Sequence, residues 1–274
     1  MPLFEEIKDR KTPFIIAEAG VNHNGSLDLA KKLIDIAVKA GADSVKFQTF
    51  KPEELVTKKA KSAEYQTENI GKKESQLEML QRLALPYEDF IKLKEYCDQK
   101  GIMFSSTPHT EESVEFLAPL IKFFKVGSGD LTNIPILKKI AKYNKPIILS
   151  TGMATMEEIS EAINSIEEEG NKKIILLHCT TNYPTPIEQV NLNAMSTMEK
   201  KFNYPIGYSD HTEGIQVPVI ATILGAKVIE KHFTLDKDME GPDHKASLTP
   251  EELSEMIKQI KNIKTILGSK EKIP

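Results

Sequence analysis

Gly207-Tyr208-Ser209-Asp210-His211, read together with Glu230-Lys231-His232-Phe233 further along, is the stretch on which the fold turns. Each segment reads as the end of a buried strand, and each places one histidine there. The interval Thr212 to Lys227 between them has the length of a helix. Parallel strands joined by a helix lie side by side. His211 and His232 are therefore expected at the same end of one sheet, where two imidazoles suggest a divalent metal site.

The same unit recurs along the chain. Short apolar runs at 14–19, 44–49, 103–106, 123–127, 146–150, 174–179, 205–208 and 228–233 read as eight strands. Their apolarity is continuous rather than alternating, as in strands covered on both faces of a parallel sheet. Between them lie helices with clear start and stop signals. Ser26 caps the run Leu27–Ala40, and Gly41 follows its end. Thr155-Met156-Glu157-Glu158 and Thr249-Pro250-Glu251-Glu252 are capping boxes, the second with proline at the first helical position. Gly41–Thr49 echoes Gly225–Thr234, each a helix-ending glycine followed by a strand. Eight such units predict a (β/α)8 TIM barrel, with a doubly wound open sheet as the alternative. The predicted barrel domain covers residues 1–267, and 268–274 form a polar stub.

Bulk properties narrow the function. A net charge of −4 gives no electrostatic support for binding nucleic acid or an anionic membrane surface. Two cysteines, Cys97 and Cys179, form neither a disulfide framework nor a CxxC pair and fit a reducing cytoplasm. The charged start Met1-Pro2-Leu3-Phe4-Glu5-Glu6 is not a signal peptide, and no apolar run is long enough to span a membrane. No dinucleotide fingerprint, Walker loop, nucleophile elbow or zinc-cysteine spacing is present.

Polar residues gather at the strand ends. Lys46 and Lys125 sit in apolar strands, where a lysine is costly unless it meets an anion or a carboxylate. Ser128 and Ser150 lie next to or near glycines and can offer hydroxyl and backbone N–H groups to phosphate oxygens. Together these suggest a pocket for a small phosphorylated acid. Two ammonium groups and a divalent ion supply about +4 against a ligand of roughly −3. Glu18 is a candidate acid–base or water-positioning group. His178 is expected to be packed or hydrogen-bonded, His23 and Asn24 to line the mouth, and His109 and His244 to lie on the surface or rim. The interruption Phe50–Glu74 is expected to act as a substrate loop on the C-terminal face.

Several motifs in order resemble bacterial sialic acid synthases, a family of N-acetylneuraminate and legionaminate synthases. They are Ile15–Gly25, Val45–Phe50, Phe104–Pro108, Ser150–Met153, Tyr183–Pro186, Gly207–His211 and Glu230–Asp236. The resemblance covers nearly the whole chain. It implies a cytoplasmic, homodimeric barrel enzyme of surface polysaccharide biosynthesis that condenses phosphoenolpyruvate with an N-acetylated mannose-type sugar and releases phosphate. It further implies that Lys46, Thr107, Lys125, Ser128, Ser150 and Asn182 hold phosphoenolpyruvate. Tyr183 and Asp243 would face the sugar, and Glu18 would act at the reacting carbon. His211 and His232 would bind Mn²⁺, or Mg²⁺ or Co²⁺ in its place. A C-terminal antifreeze-like domain usually follows the barrel in this family, and the stub is read as leading toward it. Asp130 stands where the family often has glutamate. The rival readings are a Schiff-base aldolase using Lys46 or Lys125, and a catalytically inactive sugar-binding module.

Overall fold

The computed structural model describes residues 1–57, 75–269 and 271–272. Most of the expected substrate loop, residues 58–74, lies outside the described residues; of its start, Pro52–Leu55 forms one helical turn. Eight parallel strands carry the fold: β1 (Phe14–Gly20), β2 (Ser44–Thr49), β3 (Met103–Pro108), β4 (Phe124–Val126), β5 (Ile147–Ser150), β6 (Ile174–His178), β7 (Ile206–Asp210) and β8 (Val228–His232). Their order is β3-β2-β1-β8-β7-β6-β5-β4. β1 thus pairs with both the second and the last strand, which curls the sheet into a barrel. β3 and β4 lie against each other at the seam, with no ladder between them among the described residues.

The expected helices form where their signals stand. Ser26 accepts from the Leu29 N–H at the start of helix Leu27–Ala40, and Gly41 ends it at φ +80°. Thr155 and Thr249 make complete capping boxes for helices Met156–Glu168 and Pro250–Leu267. The interval after His211 is a shorter helix than its length suggested, Gln216–Ile223, because 212–215 continue as a loop.

Alternation along each strand sorts side chains into two cores. One face packs against the helices: Ile15, Ala17, Val45, Phe104, Leu149, Leu176 and Ile229 all belong to that outer core. The other face fills the barrel. Phe14, Ile16, Phe123, Ile148, Ile175, Leu177 and Val228 form an apolar plug inside it, closed below by Ile7 of helix Leu3–Asp9. Two residues further along the same faces the side chains become polar. Ile16 is followed by Glu18, Phe123 by Lys125, Ile148 by Ser150, and Val228 by Glu230 and His232. The interior therefore changes from dry to charged within one layer of the barrel, toward the strands' C-terminal ends.

Gly207 sits in that interior, in β7. A Cβ there would meet Val228 O at 2.5 Å and Leu177 Cδ2 at 2.6 Å. The backbone, not a flexible side chain, blocks the space. Gly207→Ala should cost about 1–3 kcal/mol of unfolding free energy in urea denaturation, from overpacking alone.

His23 departs from its expected place. It is fully buried beside Phe47, with Nδ1 accepting the Gly25 N–H and Nε2 without a hydrogen-bond partner. His244 is also buried, against Thr234 Oγ1 and Asn24 Oδ1. The loops after β1 and β8 fold onto each other, and that contact takes the His244 ring from solvent, while His23 is enclosed against Phe47 of β2. Burial lowers the His23 pKa to about 4. The unfolded chain then binds more protons than the native one between about pH 6.5 and 4, so this group's stabilisation is lost on acidification through that window. Across it, His23→Gln should gain up to about 3 kcal/mol relative to the parent, read from urea midpoints at each pH.

Candidate active site at the barrel mouth

A cavity of about 190 Å³ opens at the C-terminal end of the barrel, above the apolar plug. Of the expected residues, Glu18, Lys46, Thr107, Lys125, Ser128, Ser150, Tyr183, His211 and His232 line it. They come from the eight strands or the loops that follow them, Tyr183 from the loop after β6, so the topology gathers them from positions spread over the whole chain.

Its floor is a buried charge cluster. Lys46 Nζ lies 2.9 Å from Glu18 Oε1 and 3.7 Å from Glu230 Oε2, and donates to Thr107 Oγ1 at 3.1 Å. Lys125 Nζ lies 3.4 Å from Glu230 Oε1 and donates to Ser150 Oγ at 2.7 Å. Ser209 Oγ donates to Glu230 Oε1 at 2.8 Å, and Gln48 Nε2 donates to Glu18 Oε1 at 3.2 Å. Burial raises Glu18 to about 7, with Lys46 opposing and Glu230 adding to the rise. Burial acts on Glu230 in the same direction, but Lys125 and Lys46 together hold it at about 2. Lys46 is raised because its two carboxylates outweigh desolvation, whereas desolvation lowers Lys125. Glu18 Oε2 and Glu230 Oε2 are buried without hydrogen-bond partners. Such bare atoms fit a site waiting for a ligand or water.

The histidine pair forms one wall. The His211 and His232 rings have centroids 5.7 Å apart, and Tyr183 packs 4.1 Å from the first and edge-on to the second. His211 Nδ1 faces Thr180 O at 2.7 Å, which fixes that nitrogen as the donor and leaves Nε2 with a lone pair. His232 Nδ1 is buried without a partner. Burial keeps both rings neutral by lowering their pKa values, and neutral imidazole is the form that binds metals. This donor set fits a divalent ion with open positions for substrate and water. No cluster of three or more histidine, cysteine or acidic residues with that capacity occurs among the described residues.

Two expected residues are not brought in. Asn182 turns outward and donates to Gln189 Oε1 at 3.3 Å, and Thr181 takes the place beside the cavity. Asp243 lies in the loop after β8 and does not line the cavity; burial raises its carboxyl to about 6. His178 is hydrogen-bonded to Val190 O, as expected. His109 is at the rim, where Nδ1 pairs with Asp130 Oδ2 at 2.9 Å. The residue the sequence reading missed is Glu230. Its signal was present: it stands two positions before His232, hence on the same face of the same strand. Ser209 bears the same relation to His211.

Fold and site together define a (β/α)8 barrel whose buried lysines, carboxylates and histidines gather at the C-terminal rim. The model of the NeuB family matches residues 33–272. The chain belongs to this family. It is 54% identical to an N,N'-diacetyllegionaminic acid synthase of Campylobacter jejuni, over 94% of this chain and 78% of that protein. It is 41% identical to the human N-acetylneuraminate-9-phosphate synthase, over 93% of this chain and 71% of that one. The crystal structure of an N-acetylneuraminic acid synthetase from Leptospira borgpetersenii, in complex with citrate, superposes with a TM-score of 0.86 at 34% identity, covering 96% of this chain and 88% of that one. No helix among the described residues is long and apolar enough to cross a membrane.

Glu230 is the counter-charge shared by both lysines. Glu230→Gln should therefore destabilise the protein by about 3–5 kcal/mol, the cost of leaving buried charges unpaired. Inorganic phosphate should raise the melting temperature of this variant more than that of the parent, because a bound anion replaces the lost carboxylate. Equal shifts in thermal melts would remove Glu230 from that role.

Proposed function

We propose that the chain condenses phosphoenolpyruvate with an N-acetylated mannose-type sugar and releases phosphate, forming a nonulosonic acid. The observation that carries this reading is the pair of buried lysines facing the histidine wall across one small cavity. Of the two sugars, 2,4-diacetamido-2,4,6-trideoxymannose is favoured over N-acetylmannosamine. The support is the 54% identity to a legionaminic acid synthase against 41% to the N-acetylneuraminate-9-phosphate enzyme.

In this reading Lys46 and Lys125 hold the phosphate and carboxylate of phosphoenolpyruvate, with Thr107, Ser128 and Ser150 supplying hydroxyls. His211 and His232 hold a divalent ion, which when bound polarises the aldehyde oxygen of the open-chain sugar. The fixed donors orient C3 of phosphoenolpyruvate toward the aldehyde carbon, and the new C–C bond leaves cationic character at C2. Water adds at C2 and gives its proton to the carboxylate of Glu18, which lines the cavity. The C2–O bond to phosphate then breaks, phosphate leaves against the two ammonium groups with the proton of the C2 hydroxyl, which becomes the carbonyl, and Glu18 passes its proton to the alkoxide left on the sugar. Tyr183 packs against both imidazoles and limits their tilt.

A Schiff-base aldolase fits less well. Lys46 is held as an ammonium by two carboxylates, and the histidine wall would have no task. Borohydride with pyruvate should trap no adduct on either lysine.

The decisive assay is phosphate release from phosphoenolpyruvate with each sugar, with and without added Mn²⁺. Turnover should need the ion and be faster with the diacetamido sugar. Lys46→Met and Lys125→Met should each weaken phosphoenolpyruvate binding by about 1.5–3 kcal/mol in calorimetry. His211→Ala or His232→Ala should abolish metal-dependent turnover while phosphoenolpyruvate affinity falls far less. Full turnover in chelator, or unchanged affinity in both lysine variants, would overturn the assignment.

A further inference from the structure

Cys179 has no part in the chemistry above, yet it touches a residue that does. It follows Leu177 on the inward face of β6, just past the strand's end, and is buried. Its Sγ lies 3.1 Å from Ser128 Oγ. The same Oγ accepts the Gly152 N–H at 3.0 Å. The three groups are pressed together. A Cβ on Gly152 would come within 2.9 Å of both Cys179 Sγ and Ser128 Oγ, and within 2.4 Å of Thr181 Oγ1.

A serine hydroxyl has two acceptor lone pairs and one proton. Gly152 takes one lone pair. If the thiol donates to the other, the Ser128 proton has no acceptor among the described residues and points to the cavity that Ser128 lines. If Ser128 donates to sulfur instead, a lone pair faces the cavity and repels an anion. Neighbouring Ser150 shows the first arrangement. Its Oγ accepts from Lys125 Nζ, and its own proton has no acceptor among the described residues.

We propose that Cys179 is a positioning residue that donates its S–H to Ser128 Oγ and so turns the Ser128 hydroxyl into a donor for a bound anion. The thiol keeps the proton this requires, because burial raises its pKa. This inference rests on the phosphoenolpyruvate reading of the cavity. It adds to that reading a residue that never touches the ligand.

A double-mutant cycle on phosphoenolpyruvate affinity, measured by calorimetry, tests it. Ser128→Ala should weaken binding about tenfold. Cys179→Ala should weaken it several-fold, as should Cys179→Val, which fills the sulfur's space without a donor. Cys179→Ser, which keeps a donor, should stay within about threefold of the parent. In the Ser128→Ala background, Cys179→Ala and Cys179→Val should cost nothing further. A packing role would instead give losses that persist in that background, and such additivity in a parent that binds normally would overturn this inference alone. No measurable binding by the parent would overturn the reading of the cavity and this inference with it.

Discussion

The structure depends on four charged side chains buried together inside a barrel. Removing each ion from water costs several kcal/mol, and pairing alone rarely recovers it. Lys46, Lys125, Glu18 and Glu230 therefore stand only because the rest of the fold holds them at contact distance. The apolar plug beneath them and the outer core around them supply the stability that this layer does not. A protein selected for stability alone would continue the plug upward with leucine and isoleucine. The polar layer is where stability has been exchanged for a charged, water-poor cavity.

β1 is the strand that makes the cluster possible. It stands between β2 and β8, and at Glu18 its register meets Lys46 on one side and His232 on the other. One carboxylate thus links the lysine floor to the histidine wall. β8 repeats the device by period two. Glu230 reaches down to the lysines and His232 stands above it, on one face of one strand. A slip of one residue in either strand would turn these groups outward into the helices. On the other face of β7 and β8, Lys231 pairs with Asp210 in register and with no solvent exposure, and so pins the two strands where their histidines meet.

Much of this was legible in the sequence because repeated βα units announce themselves by length, apolar runs and caps. The eight strands, the principal caps and seven of the cavity residues follow from such local signals, and Thr107 and Tyr183 from the family resemblance. Closure of the sheet does not, since it is a relation between Phe14–Glu18 and Val228–His232 that no window contains. Asn182 was carried over from the family motif, and its side chain lies away from the cavity. One position decides whether 181 or 182 faces inward, and Gln189 captures the second. His244 was assigned to the rim because the contact that buries it joins loops more than two hundred residues apart, and His23 to the mouth because its packing against Phe47 is set by another strand. Glu230 was overlooked for a different reason. It was placed in the last strand, but chemistry was assigned there only to His232, and strand alternation was not carried two positions back.

The charge balance of the cavity explains why a lysine pair and a histidine pair belong in one site. With Glu230 shared between the lysines and Glu18 against Lys46, the protein's own charges nearly cancel, and the neutral imidazoles add none. A floor that nearly cancels can remain folded without ligand. It cannot by itself neutralise a ligand of about −3, because much of the lysines' positive charge is already spent on carboxylates. The missing positive charge has to arrive with the reactants. A divalent ion on His211 and His232, as proposed, supplies it beside the place where negative charge develops on the sugar oxygen. On that reading the two halves of the site are incomplete in complementary ways. The lysine half can hold an anion but lacks surplus charge, and the histidine half can hold a cation but is itself neutral. β1 and β8 bring the halves within one small cavity, and that shared wall is what couples binding of the anion to activation of the aldehyde.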